Sequence, residues 1–104
     1  MIPPKLSHEE AQFIYATEAD LLNKALFGLT AKQWRDINPA LDGNIRDHAS
    51  VTQLVCLSNL ETLNAEFIRQ ELPQSDRLIR LNEIAIIHIT SLLKNSRIRK
   101  LDKL

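Results

Sequence analysis

The sequence predicts an all-α fold: a small bundle of four to five helices, closed by a long C-terminal antiparallel helical hairpin. Three observations predict it. Helix-capping patterns recur along the chain, apolar residues recur at three- and four-residue spacings, and runs alternating β-branched with polar residues are nearly absent. At 104 residues the chain has the size of one domain, able to bury a single modest core. We assign residues 1–104 to that domain, with 1–6 as an N-terminal lead and 95–104 as a basic tail.

Pro3 and Pro4 cannot lie inside a helix, so the first element begins after them. Ser7 with Glu10 three residues on is a capping box for a short turn reaching Ile14 or Tyr15. Thr17 with Asp20 repeats the pattern. Leu21, Leu22, Ala25 and Leu26 follow at helical spacing and Gly28 supplies a left-handed stop, giving a helix over 18–27. Thr30 caps a short helix through Trp34 and Arg35, which Asn38-Pro39 ends because the residue before proline avoids the helical region.

Residues 39–49 contain the turn pair Asp42-Gly43 and few apolar side chains, and are expected to form the main loop. Ser50 with Gln53 opens a helix that meets no glycine or proline until Pro73 and is expected to run to Leu72. Ser75 and Asp76 start the last helix, which reaches Leu93. So short a link between two long helices makes them antiparallel neighbours.

At about 100° per residue, the first long helix gathers Cys56, Leu57, Leu60, Leu63, Phe67 and Ile68 on one broad face. Val51, Leu54, Val55 and Ala65 fall nearly opposite. The second helix carries Leu78, Leu81, Ala85, Ile89, Leu92 and Leu93 in one stripe with Asn82 inside it. Ile87 is stranded among Arg80, Glu83 and Ser91. One neighbour cannot cover both faces of the first helix. The expectation is therefore a contact with another chain or domain through Val51, Leu54, Val55 and Ile87, as a homodimer or by docking to a companion domain.

Lys plus Arg equals Asp plus Glu at 13 each, so no global field draws the chain to a polyanion. The asymmetry is local: residues 94–104 carry a net +4 and residues 1–93 a net −4. A lone cysteine, Cys56, forms no internal disulfide, and no run resembles a signal peptide, which fits a cytoplasmic location. The most apolar run, residues 84–93, is about half the ~20 residues a membrane span needs, so no membrane role is expected.

Ala16-Thr17-Glu18-Ala19-Asp20-Leu21-Leu22-Asn23, Ala25-Leu26-Phe27-Gly28, Thr30-Ala31-Lys32-Gln33-Trp34-Arg35 and Gly43-Asn44-Ile45-Arg46-Asp47 are the most recognisable stretches. With Leu57-Ser58-Asn59-Leu60-Glu61, Leu63-Asn64-Ala65 and Leu81-Asn82-Glu83-Ile84-Ala85, they resemble the C-terminal region of KilA-N domain proteins, from about residue 13 to 93. Those proteins are encoded by phages and bacterial mobile elements and carry an N-terminal DNA-binding domain ahead of variable C-terminal modules. The present sequence lacks a counterpart of that N-terminal domain. The resemblance implies an accessory module that meets DNA only indirectly, through an associated domain.

Catalytic chemistry finds no support in the pattern. His8, His48, His88 and Cys56 lack the short spacings of local metal-ligand pairs, and Cys56 on an apolar helix face reads as a small hydrophobe. No catalytic residue, cofactor or metal is expected. Two arginine-aspartate steps, Arg35-Asp36 and Arg46-Asp47, flank the loop and read first as staples onto the long helices. The competing reading is a small nucleic-acid-binding protein in which Lys32, Arg35, Arg46, Arg97, Arg99 and Lys100 meet phosphates, although the tail offers no aromatic residue for stacking. Asn64 and Asn82 are expected to set register or partner choice, with an edge placement as the alternative, because a buried unpaired amide is penalised by about 1 to 3 kcal/mol.

Overall fold

The computed structural model describes residues 2–94. Among them the fold is all-α: α1 His8–Gln12, α2 Glu18–Phe27, α3 Ala31–Ile37, a 3-10 turn Ile45–His48, α4 Val51–Arg69 and α5 Gln74–Leu93. Helices α2, α4 and α5 pack against one another around the core, α1 lies on α5, and α3 packs on the 3-10 turn. Leu21, Leu26, Leu60, Leu78, Leu81 and Ile89 are the largest side chains fully withdrawn from solvent. They come from three helices, so α2 supplies the second neighbour that α4 and α5 need.

The capping patterns set most of the boundaries. Ser7, Thr17, Thr30 and Ser50 each accept a hydrogen bond from the backbone N–H three residues on, and the side chains of Glu10, Gln33 and Gln53 accept one from the N-cap N–H to complete three capping boxes. Gly28 ends α2 at φ 77°, and a Cβ there would lie 2.7 Å from Cγ of Pro4. Glycine is required twice at that position, for the turn and for the lead that crosses it.

Four boundaries differ from expectation. α1 stops at Gln12, since Phe13 is extended and its N–H closes on the Glu10 carbonyl. The expected loop 39–49 contains an ordered 3-10 turn, whose N-cap Asn44 accepts from the Arg46 N–H and donates its own N–H to Asp47. α4 ends at Arg69, three residues short of Leu72. Glu71 takes φ 63°, the Glu71 N–H meets the Ile68 carbonyl at 2.9 Å and the Leu72 N–H meets the Phe67 carbonyl at 3.1 Å. That is a Schellman termination without its usual glycine, so no residue type announced it. Finally, α5 begins at Gln74 with Pro73 as N-cap and no side-chain cap, in place of a Ser75 or Asp76 start. Proline fixes the backbone angle for helix entry and lacks the N–H that would otherwise be orphaned.

Candidate interaction surface

Buried polar residues show how the chain closes on itself. Asn82, 2 % exposed, donates through Nδ2 to the carbonyls of Pro4 and Ala25, both at 3.0 Å, and its Oδ1 accepts from the Leu6 N–H at 3.0 Å. One amide therefore joins the lead, α2 and α5. Asn64 lies between two charges: its Nδ2 donates to Glu18 Oε1 at 2.8 Å and its Oδ1 accepts from Arg77 Nη1 at 2.9 Å. Arg77 also donates to Glu18 and, through Nε, to the Leu72 carbonyl at 3.1 Å. The Arg77 hydrogen bond, aided by Asn64, holds the Glu18 carboxyl below its usual range against the opposing effect of burial. Both asparagines are thus buried, not at an edge, and their hydrogen bonds join segments of one chain.

Lys24 is buried although charged. Its Nζ donates to the Gly28 carbonyl at 2.9 Å and pairs with Glu10 at 3.0 Å, which binds α1 to the end of α2. Hydrogen bonds from Lys24 and from the Ser7 backbone lower the Glu10 carboxyl. Among the described residues, no buried side-chain nitrogen or oxygen lacks a hydrogen-bond partner. The polar interior is closed.

The arginine-aspartate steps resolve differently from the expected staples onto the long helices. Asp36 pairs with Lys32 at 3.1 Å on the exposed face of α3, and Asp47 caps its own turn. Arg46 Nε donates to Asn23 Oδ1 at 3.1 Å, so this arginine fastens the loop to α2. Of the basic residues considered for phosphate contact, Lys32 and Arg46 are engaged in this way and Arg35 is exposed. Arg97, Arg99 and Lys100, with the rest of the tail 95–104, lie outside the described residues.

Histidines and cysteine are dispersed. His8 is exposed on α1, His88 Nδ1 lies 3.5 Å from Asn59 Nδ2, and the His48 ring sits 5.0 Å from the Trp34 ring, centroid to centroid. Burial pushes the Cys56 thiol up to about 11, far from the thiolate a nucleophile needs at neutral pH. Among the described residues, no three His, Cys, Asp or Glu side chains gather as metal ligands, and no helix is long and apolar enough to cross a membrane.

The apolar residues outside the core are the surface feature left to explain. Ile87 is 67 % exposed while Ala85 and Ile89, two residues to either side, are 0 % exposed. Val51, Leu54 and Val55 are 37 %, 44 % and 40 % exposed at the start of α4. The Asn59–His88 contact fixes the antiparallel level of the hairpin, putting Val55 one turn from that contact on α4 and Ile87 beside it on α5. Ile68, expected on the core face, is 46 % exposed. It lies at the rim of the buried arc, and the core side of that turn is filled by Asn64 and Phe67.

A second exposed set escaped the sequence reading. Phe13 and Ile14 are 69 % and 92 % exposed, in the link between α1 and α2, and border a cleft of about 290 Å³ with Glu10, Tyr15, Lys24 and Gln33. Ile37, one turn after Gln33 on α3, is 65 % exposed. Three consecutive bulky residues, Phe13 to Tyr15, immediately before a helix cap were the available signal, but an aperiodic run has no face to assign. A smaller cleft of about 210 Å³ lies beside the Trp34–His48 pair.

No protein-family model matches the chain, and no curated protein or solved structure does.

Proposed function

We propose that the chain is a non-enzymatic helical interaction module that pairs with a second copy of itself or with a companion domain, as a cytoplasmic accessory to a phage-derived DNA-binding regulator. The observation that carries the proposal is the exposed set Val51, Leu54, Val55 and Ile87 on a fold whose own core and polar interior are already closed. Fully burying one branched apolar side chain is worth about 1.5 to 3 kcal/mol, and these are exposed in part, so several per chain are needed to offset the entropy of association. A twofold contact doubles the set and is the commonest way to close such a surface. The link to a DNA-binding regulator rests on the resemblance to the region that follows KilA-N domains. DNA contact in this reading belongs to the associated domain, consistent with the engagement of Lys32 by Asp36 and of Arg46 by Asn23.

Light scattering across a wide concentration range tests the proposal. The wild-type mass should rise above the 11.9 kDa of one chain, and Val55→Glu with Ile87→Glu should hold it down. A monomeric wild type at high concentration, indifferent to both substitutions, would remove self-association.

A further inference from the structure

We infer that the N-terminal segment, residues 2–12, is an exchangeable element: it seats on a second copy of the chain as it seats on its own, with Phe13 and Ile14 as the hinge, and so builds a twofold dimer. This rests on the reading that the chain self-associates, and it adds a contact separate from the hairpin face.

The seat is made by other parts of the chain. Asn82 of α5 reads the backbone of an extended segment, its amide nitrogen on the Pro4 carbonyl and its oxygen on the Leu6 N–H, each at 3.0 Å. Pro3 is buried, Leu6 packs on the core, and Pro4 lies over Gly28, where no Cβ fits. Further along the same segment Glu10 pairs with Lys24 of α2 and its carbonyl accepts from the Tyr15 hydroxyl at 3.0 Å. Each of these contacts can form equally well with a segment of identical sequence from another chain.

The boundary between the movable and the fixed part is sharp. Tyr15 is held on both sides of its backbone by Gln74 of α5, its N–H meeting Oε1 at 2.8 Å and its carbonyl meeting Nε2 at 3.0 Å. α1 ends at Gln12, so only Phe13 and Ile14 separate the seated segment from a clamped residue. Short hinges favour exchange, because a link of two residues leaves the chain few ways to fill its own seat and the same segment can fill a partner's. These two hinge residues are also the most exposed large apolar side chains among the described residues. In an exchanged dimer the two hinges pass each other at the twofold axis, and Phe13 and Ile14 of one chain meet those of the other. The clamps re-form between chains, so the hinge contact is net gain set against the entropy of association.

The Glu10–Lys24 pair supplies the test, because a carboxylate and an amine 3.0 Å apart are joined as an amide by a zero-length carbodiimide. The reagent activates the Glu10 carboxyl by bonding one of its oxygens, the Lys24 amine attacks the carboxyl carbon, and the reagent leaves as its urea, carrying away that oxygen and two protons. Chains of residues 1–104 labelled with heavy nitrogen are mixed equally with unlabelled chains, unfolded in urea, refolded together at high concentration and crosslinked. Mass spectrometry then reads whether the two halves of the Glu10–Lys24 peptide carry the same isotope, with Lys24→Gln as the control that removes the link.

Exchange predicts mixed-isotope peptides as abundant as uniform ones at concentrations where the mass is dimeric. It predicts a several-fold drop in them when a Gly-Gly-Ser insertion after Ile14 lets the segment fold back. Uniform peptides at every concentration from a preparation of dimeric mass would overturn the exchange and leave self-association standing. A monomeric mass throughout would overturn both.

Discussion

The middle of α5 and its N-terminal end are each closed by a buried asparagine, and the two closures use different chemistry. Asn82 binds three backbone groups, all neutral, from segments far apart in sequence. Asn64 stands between Arg77 and Glu18, a pair whose side chains are 10 % and 47 % exposed. The neutral clamp answers to geometry alone and should be indifferent to pH and salt. The charged one reaches the surface, so acid and ionic strength can loosen it. One bundle thus holds its lead through a neutral clamp, with the Glu10–Lys24 pair beyond it, and its hairpin base through a charged one.

Breaking the neutral clamp should have the largest effect. Asn82→Ala strands the Pro4 and Ala25 carbonyls and the Leu6 N–H, and should lower stability by about 3 kcal/mol, read as a fall in the urea midpoint. An unchanged midpoint would mean that the lead is not seated in solution. Arg77→Met removes the hub of the charged closure and should cost about 1 to 2 kcal/mol, less than a fully buried pair because Glu18 is partly solvated.

Acid should separate the two closures further. The Glu10 and Glu18 carboxyls are held below the usual carboxylate range in the folded chain, through Lys24 and Arg77 respectively. Their contribution is therefore fully present above the unfolded value and is lost as pH falls through the lower folded value. Thermal melts from pH 6 downward should decline beginning around pH 4.5, with a shallower decline in Glu18→Gln and a shallower one still when Glu10→Gln is added. Equal slopes in all three would contradict the assignment of the acid response to these two carboxylates.

Smaller effects sharpen the account. Glu71→Gly relieves a left-handed backbone angle at the end of α4 and should raise stability by up to about 1 kcal/mol, since a side chain is disfavoured there. Charges at Val55 and Ile87 should leave the dilute chain within about 0.5 kcal/mol of wild type, because neither residue belongs to the core.

Much of this architecture was legible in the sequence because capping and periodicity are local signals. Ser7, Thr17, Thr30 and Ser50 named their helices, and the hairpin followed from the short link around Pro73. Non-local closures were less legible. Asn82 stood out as an amide in an apolar stripe, yet nothing at residues 4 to 6 shows that their backbone is its partner. Arg77 and Glu18 lie 59 residues apart, and no spacing rule joins them. The end of α4 was missed because Glu71 adopts an angle that its residue type disfavours. For the surface, the helical wheel found Val51, Leu54, Val55 and Ile87, whereas Phe13 and Ile14 lie outside any regular element and became visible only as exposed area.

Methyl NMR over a concentration series tests the central claim most directly, because it reads the surface residue by residue. If the hairpin face is the contact, the methyl signals of Val51, Leu54, Val55 and Ile87 shift or broaden as concentration rises, while those of core Leu81 and Ile89 stay fixed. Signals from the four surface residues that stay constant up to millimolar chain, or shifts confined to other methyls, would contradict it.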